Sequence, residues 1–158
     1  MEIKVIVEEL KKSFPDDIRM ISDSFGDVSV EIKKEALIPV VKFLKDPPYE
    51  MTMLLDLTCV DFPERENRFE MVYHLFSLKH NTRLRLKACL NQAETVIDSL
   101  TSLWKNANWL EREVFDMFGV EFSGHPDLRR IFMYDGFEGY PLRKDYPLRK
   151  RQPRIPLK

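Results

Sequence analysis

The chain has 158 residues, 44% of them apolar and 32% charged, with a net charge of -1. That length and balance describe one folded domain and exclude a largely disordered chain. The near-neutral total hides a split: residues 141–158 hold seven basic side chains against the single acid Asp145, so this segment carries +6 and the rest -7. A cationic end on an anionic body favours an acidic partner, nucleic acid or anionic lipid.

Cys59 and Cys89 are the only cysteines, too few for a disulfide framework or a four-thiolate metal site, and a reduced, intracellular setting is expected. The opening MEIKVIVEELKKSF has acids where a signal peptide is basic and lacks its apolar centre. The longest apolar run, near residues 51–60, is too short to cross a bilayer. Any membrane association is therefore expected to run through another chain.

In chain order, Ile3, Ile6, Val7, Leu10 and Phe14 recur at helical spacing, and Pro15 ends that pattern. Ile18–Ser24 and residues 28–32 flank Gly26-Asp27 and predict a hairpin. Residues 35–44 return to helical spacing, with Pro39 early enough to be tolerated, and Asp46-Pro47-Pro48 stops them. Three strands follow, over residues 51–60, 69–78 and 82–90. In the last, Leu84, Leu86, Ala88 and Leu90 share one face while Arg83, Arg85 and Lys87 share the other, the mark of a sheet covered on one side. Residues 96–105 and 109–118 predict helices. After Gly119, Gly and Pro are dense and regular structure is not expected.

These elements predict an α+β two-layer fold over residues 1–122, with a mostly antiparallel or mixed sheet of about five strands. Residues 123–158 form a Gly/Pro-rich turn and an extended basic tail that wraps the body and then leaves it. On a helical wheel of residues 109–118, Leu110, Val114, Met117 and Phe118 make an apolar arc. Arg112, Glu113 and Asp116 lie opposite, with Arg112–Asp116 a candidate i,i+4 ion pair. Glu111 falls inside the arc and needs a partner; Arg129, Arg130 and Arg143 offer bidentate geometry. Gly119 suits a left-handed C-cap. Gly124-His125-Pro126-Asp127 reads as a tight turn, with Asp127 capping a short helical turn at Leu128-Arg129-Arg130. The charges here fit a structural ion-pair network, acid/base chemistry by Glu111, Glu113, Asp116 and His125, or a face for a partner protein.

Recognisable catalytic machinery is not found. The three histidines and two cysteines have no metal-ligand spacing, and the sequence holds neither a glycine-rich phosphate loop nor a G-x-S-x-G elbow. Cys89 has Lys87 nearby but no base to make it a nucleophile. No catalytic, cofactor-binding or metal-binding residue is expected in this chain.

Three blocks then resemble a known signature: E-R-E-V-F-D-M-F-G from Glu111, G-H-P-D-L-R-R-I from Gly124 and G-Y-P-L-R-K-D-Y-P from Gly139. Their order and spacing are similar to those of the 30 kDa subunit family of respiratory complex I (NDH-1), the proton-pumping NADH:quinone oxidoreductase. Residues 56–61 (D-L-T-x-V-D) and 73–77 (Y-H-L-F-S) extend the likeness upstream. The resemblance implies a non-catalytic scaffold subunit of the hydrophilic arm, peripheral at the cytoplasmic face of the inner membrane. Its implied neighbour is the quinone-site subunit, the relative of the large subunit of nickel–iron hydrogenases. FMN, iron–sulfur clusters and quinone are then expected in partner subunits. The resemblance also implies structural and docking roles for Glu111, Arg112, Glu113, Asp116, Gly119, Gly124, His125, Pro126, Asp127, Arg129, Arg130, Pro141, Arg143, Lys144 and Asp145. The alternatives are the equivalent subunit of a membrane-bound hydrogenase or of a ferredoxin- or deazaflavin-dependent complex, and, unrelated to these, a nucleic-acid-binding module acting through the basic tail.

Overall fold

The computed structural model describes residues 2–153, so the last five positions of the expected tail lie outside the described residues. Its elements run α1 (Ile3–Ser13), β1 (Ile18–Ser24), β2 (Asp27–Ile32), α2 (Leu37–Lys45), β3 (Met53–Asp61), β4 (Phe69–Ser77), β5 (Thr82–Leu90), β6 (Val96–Asp98), α3 (Ala107–Phe118) and β7 (Glu121–Ser123), with a 3-10 turn at Lys34–Ala36 leading into α2. The expected α+β class and five-stranded sheet are both present.

Strand order in the main sheet is β1-β2-β5-β4-β3. Neighbours pair antiparallel except β2 and β5, which run parallel with Ser29 opposite Arg85 and Ile32 opposite Ala88. The alternation read from β5 sets the layers. Leu84, Leu86, Ala88 and Leu90 are buried with Phe69, Met71, Tyr73 and Leu75 of β4, and this face meets Ile6 and Leu10 of α1, Val40 and Leu44 of α2, and Val114 of α3 in one core. Truncating a fully buried leucine there, such as Leu86, costs about 2–5 kcal/mol. Arg85, Lys87, His74 and Phe76 occupy the opposite face, partly open to water.

Two expectations need correction. Residues 96–105 are not a helix. Val96–Asp98 is a short strand pairing parallel with Glu121–Ser123, and turns follow as far as Ala107. Ile97, Leu100 and Trp104 recur at helical spacing and are all buried, but a strand followed by a turn (Trp104 N–H to Leu100 O, 2.9 Å) meets the same requirement. The same pairing gives Glu121–Ser123 a strand where none was expected. The rest of the described segment beyond it has neither helix nor strand. Among the described residues no helix is long and apolar enough to cross a membrane.

Candidate functional site

The last helix organises the site. Glu111, fully buried on the core side of α3, accepts a hydrogen bond from the Leu100 backbone N–H at 2.6 Å and one from the Ser99 hydroxyl at 2.6 Å. The expected arginine partner is not used. Burial pushes the Glu111 carboxyl up to about 7, against the opposing pull of these two bonds. Its role here is to pin the turn that follows β6 onto the helix.

On the other side of α3 the wheel places Arg112 and Asp116 toward water, yet both are buried. Residues 129–133 cover them. Asp116 Oδ2 accepts the backbone N–H groups of Ile131, Phe132 and Met133 at 2.8–3.1 Å, and Arg130 Nη1 reaches Asp116 Oδ1 at 2.9 Å. Burial pulls this carboxyl upward, but the three N–H groups and the guanidinium outweigh it and hold it below the ordinary aspartate value. Arg112 does not form the i,i+4 pair with Asp116. Its guanidinium donates to the carbonyls of Arg129 and Arg130 at 3.0 and 3.3 Å. Glu113 alone of the three polar helix residues stays exposed.

Gly119 ends α3 in the left-handed region, at φ 73°, where glycine carries no steric penalty. Its missing side chain also makes room: a Cβ there would lie 2.5 Å from the Tyr140 ring and 2.7 Å from Arg143 Nη2. Arg143 Nε donates to Phe118 O at 2.5 Å, and its guanidinium lies over the rings of Tyr140 and Phe69. Next to it, Asp61 at the end of β3 grips Arg68 through two bonds of 2.6 and 2.8 Å and accepts the Lys144 N–H at 2.7 Å. Arg68 also donates to Asp145 at 2.8 Å. Hydrogen bonding from Arg68 holds both aspartates below their ordinary values. Pro141 is half-buried within this strap, and the side chain of Lys144 points to water.

The turn residues follow a different plan from the expected one. Gly124 has φ 79°. Pro126 and Asp127 are exposed, and residues 128–130 form no helical turn. Asp127 instead pairs with Arg129 at 2.9 Å, and its N–H donates to His125 Nδ1 at 3.0 Å. That bond leaves the imidazole proton on Nε2, facing Asn108 O at 3.2 Å. Glu111 Oε2 lies 4.0 Å from the same nitrogen, beyond hydrogen-bond reach. His125 therefore fixes the turn.

Nucleophiles are suppressed. Burial raises the Cys59 thiol to about 12 and the Cys89 thiol to about 11, so neither supplies thiolate near neutrality. Among the described residues no group of three His, Cys, Asp or Glu side chains could hold a metal ion. The Tyr73 hydroxyl is buried without a hydrogen-bond partner in the described chain.

Residues 30–152 match the family model described as the 30 kDa subunit of respiratory-chain NADH dehydrogenase. The chain belongs to that family. One relative, an NADH-quinone oxidoreductase subunit of Citrifermentans bemidjiense, is 45% identical over 142 residues, covering 90% of this chain and 88% of that protein. Among solved structures, a trypsin-resistant fragment (1-134) of Nqo5 superposes with TM-score 0.71 at 29% identity, covering 81% of this chain and all of the fragment. A chain of the membrane-bound sulfane sulfur reductase, an archaeal respiratory membrane complex, shares the fold at TM-score 0.74 and 23% identity, with 92% and 85% covered. Within this 30 kDa family frame, the signature residues concentrate where α3 meets the strap. Sequence reasoning missed Ser99, Arg68 and Tyr140. Arg68 was within reach: it lies seven residues beyond Asp61 across the β3–β4 hairpin, and the strand pairing brings Asp61 opposite Phe69.

Proposed function

We propose that this chain is a non-catalytic scaffold subunit in the hydrophilic arm of a proton-translocating NADH:quinone oxidoreductase. In this reading it sits beside the quinone-site subunit, peripheral at the cytoplasmic face of the inner membrane, with FMN, iron–sulfur clusters and quinone held by other chains. Residues 1–122 are the body, and residues 123–158 provide the docking part. One observation carries the reading: five of the signature's ionisable side chains are committed to bonds inside the chain, while Glu113 and Lys144 stay exposed. Glu111, Arg112, Asp116, Arg130 and Arg143 all hold backbone groups, so each is a fastener with little freedom for proton transfer. Within the basic segment Arg143 is anchored to Phe118 O and Lys150 lies 3.7 Å from Glu138, which leaves fewer free cations for a phosphate backbone.

The test is a membrane complex purified from the native source through a tag on the quinone-site subunit. This chain is expected to co-purify, and NADH is expected to drive quinone reduction in preference to ferredoxin, a deazaflavin or hydrogen. Glu111→Gln complexes that assemble normally are expected to keep their turnover. Normal assembly with turnover abolished would assign chemistry to this chain, and its absence from a complex that retains the tagged neighbour would end the scaffold reading.

A further inference from the structure

Three apolar side chains around α3 remain in water although the backbone beside them is hydrogen-bonded. Trp109 and Phe132 are each 62% exposed and Leu142 is 50% exposed. Each is held by a polar contact beneath or beside it. The Arg112 guanidinium lies 5.0 Å from the Trp109 ring centroid while donating to the Arg129 and Arg130 carbonyls. The Phe132 N–H is bonded to buried Asp116 at 2.8 Å, and the Leu142 N–H donates to Met117 O at 3.1 Å. Trp109 and Asp116 are seven residues apart, nearly two turns, so they lie on one side of α3 about 10 Å apart, and Leu142 is tied to the last turn through Met117 O.

Burying carboxylates and guanidiniums is costly unless each is fully bonded. Here that cost fixes loops whose outer side chains are apolar and solvent-facing. The three side chains together expose on the order of 400 Å2, the size of the largest apolar patch on a typical monomer, which is often functional. Because the backbone is already locked, a partner meeting this patch loses little ordering entropy. Charge says which partner. Lys144 and Arg149, beside Leu142 and the 98% exposed Leu148, and Arg151 beyond them are exposed and have no ion-pair partner among the described residues.

Resting on the docking reading above, we propose that Trp109, Phe132 and Leu142 form a preformed apolar stripe that anchors a partner protein surface with an apolar centre and a rim of carboxylates. The basic tail steers that partner in, and the stripe holds it. Steering charges act mainly on the association rate and are screened by salt, whereas a buried apolar centre governs dissociation.

The experiment compares full-length chains for incorporation into the native complex, followed by washes in low and then high salt, up to about 1 M, where the Debye length falls to about 3 Å. Wild type is expected to remain bound in the highest salt. Trp109→Ala/Phe132→Ser is expected to lower incorporation at least tenfold with an unchanged melting curve. Arg149→Ala/Arg151→Ala is expected to slow incorporation but leave salt-resistant retention intact. Phe132→Glu, which sets a carboxylate against the acidic rim, repeats the first test at a single exposed position. Normal incorporation of both Phe132 variants, or wild type stripped by salt, overturns the stripe while the docking reading stands. Wild type absent from the complex overturns the docking reading itself. A concentration-dependent dimer of the free chain, abolished by Trp109→Ala/Phe132→Ser, would assign the stripe to a second copy and overturn the stated partner.

Discussion

The open face of the sheet and the surroundings of α3 both carry many charges, but they use them differently. On the sheet, Lys87 meets Glu70 at 2.8 Å and Arg85 meets Asp27 at 3.6 Å; at its edge Lys79 meets Glu50 at 2.7 Å. These are side chain to side chain, and the backbone below already has its strand ladder. Around α3 the charges bind backbone: Glu111 to Leu100, Asp116 to residues 131–133, Arg112 to residues 129 and 130. Residues 124–146 have no ladder of their own, and their buried N–H and C=O groups need partners. Charged side chains there take the place that hydrogen-bonded strands hold in the sheet.

The largest expected effect follows from that contrast. Asp116→Ala orphans three N–H groups and Arg130, and it should cost about 3–5 kcal/mol in chemical denaturation. A loss within about 1 kcal/mol, the scale of an exposed pair, would erase the distinction between the two faces.

Next comes pH. Glu111 is raised to about 7 in the folded chain against an ordinary 4.5, so the folded state keeps a proton that the unfolded state has released. Stability contributed at this site is therefore greatest at and below pH 4.5, declines through pH 7 and is flat above it, by on the order of 3 kcal/mol. Glu111→Gln should remove that decline, measured as the difference between the two chains across roughly pH 4.5–8. The depressed carboxyls of Asp61, Asp116 and Asp145 act with opposite sign. Their stabilisation is complete above the ordinary 3.8 and is lost only as pH falls below it. An unaltered slope in the Gln variant would place the titration elsewhere.

Gly119→Ala adds both left-handed strain and a methyl group against Tyr140, with an expected cost of roughly 1–3 kcal/mol. In a Tyr140→Ala background the ring's share of the steric cost should vanish, while the Arg143 contact and the conformational part remain, which a double-mutant cycle resolves. At the small end, Lys79→Ala on the sheet edge should change stability by less than about 1 kcal/mol, in line with other exposed pairs.

The sheet was the legible part. Along Thr82–Leu90 a period of two coincides with burial, so class, layer and the facing of β5 follow from residue types. The parallel partnership of β2 with β5 was not legible, because nothing local records which distant strand lies alongside. Residues 96–105 misled because Ile97, Leu100 and Trp104 satisfy a helix and a strand-plus-turn equally. At the site, the wheel identified Glu111 as buried. Its partner escaped prediction because a backbone N–H and a serine hydroxyl solve the desolvation of a carboxylate as well as an arginine does. The Arg112–Asp116 pair assumed a helix face bathed in water. Residues 129–133 cover that face, and no periodicity announces a covering loop.

The parallel pairing of Ser29 with Arg85 has a consequence during synthesis. The N-terminal hairpin emerges from the ribosome well before its neighbour does, a delay of roughly 3–11 s at typical elongation rates. Throughout that interval Val28, Val30 and Ile32 belong to a two-stranded ribbon, which is marginal in water by itself. The nascent protein thus exposes a sticky edge early, and its main sheet closes only when the fifth strand has been translated.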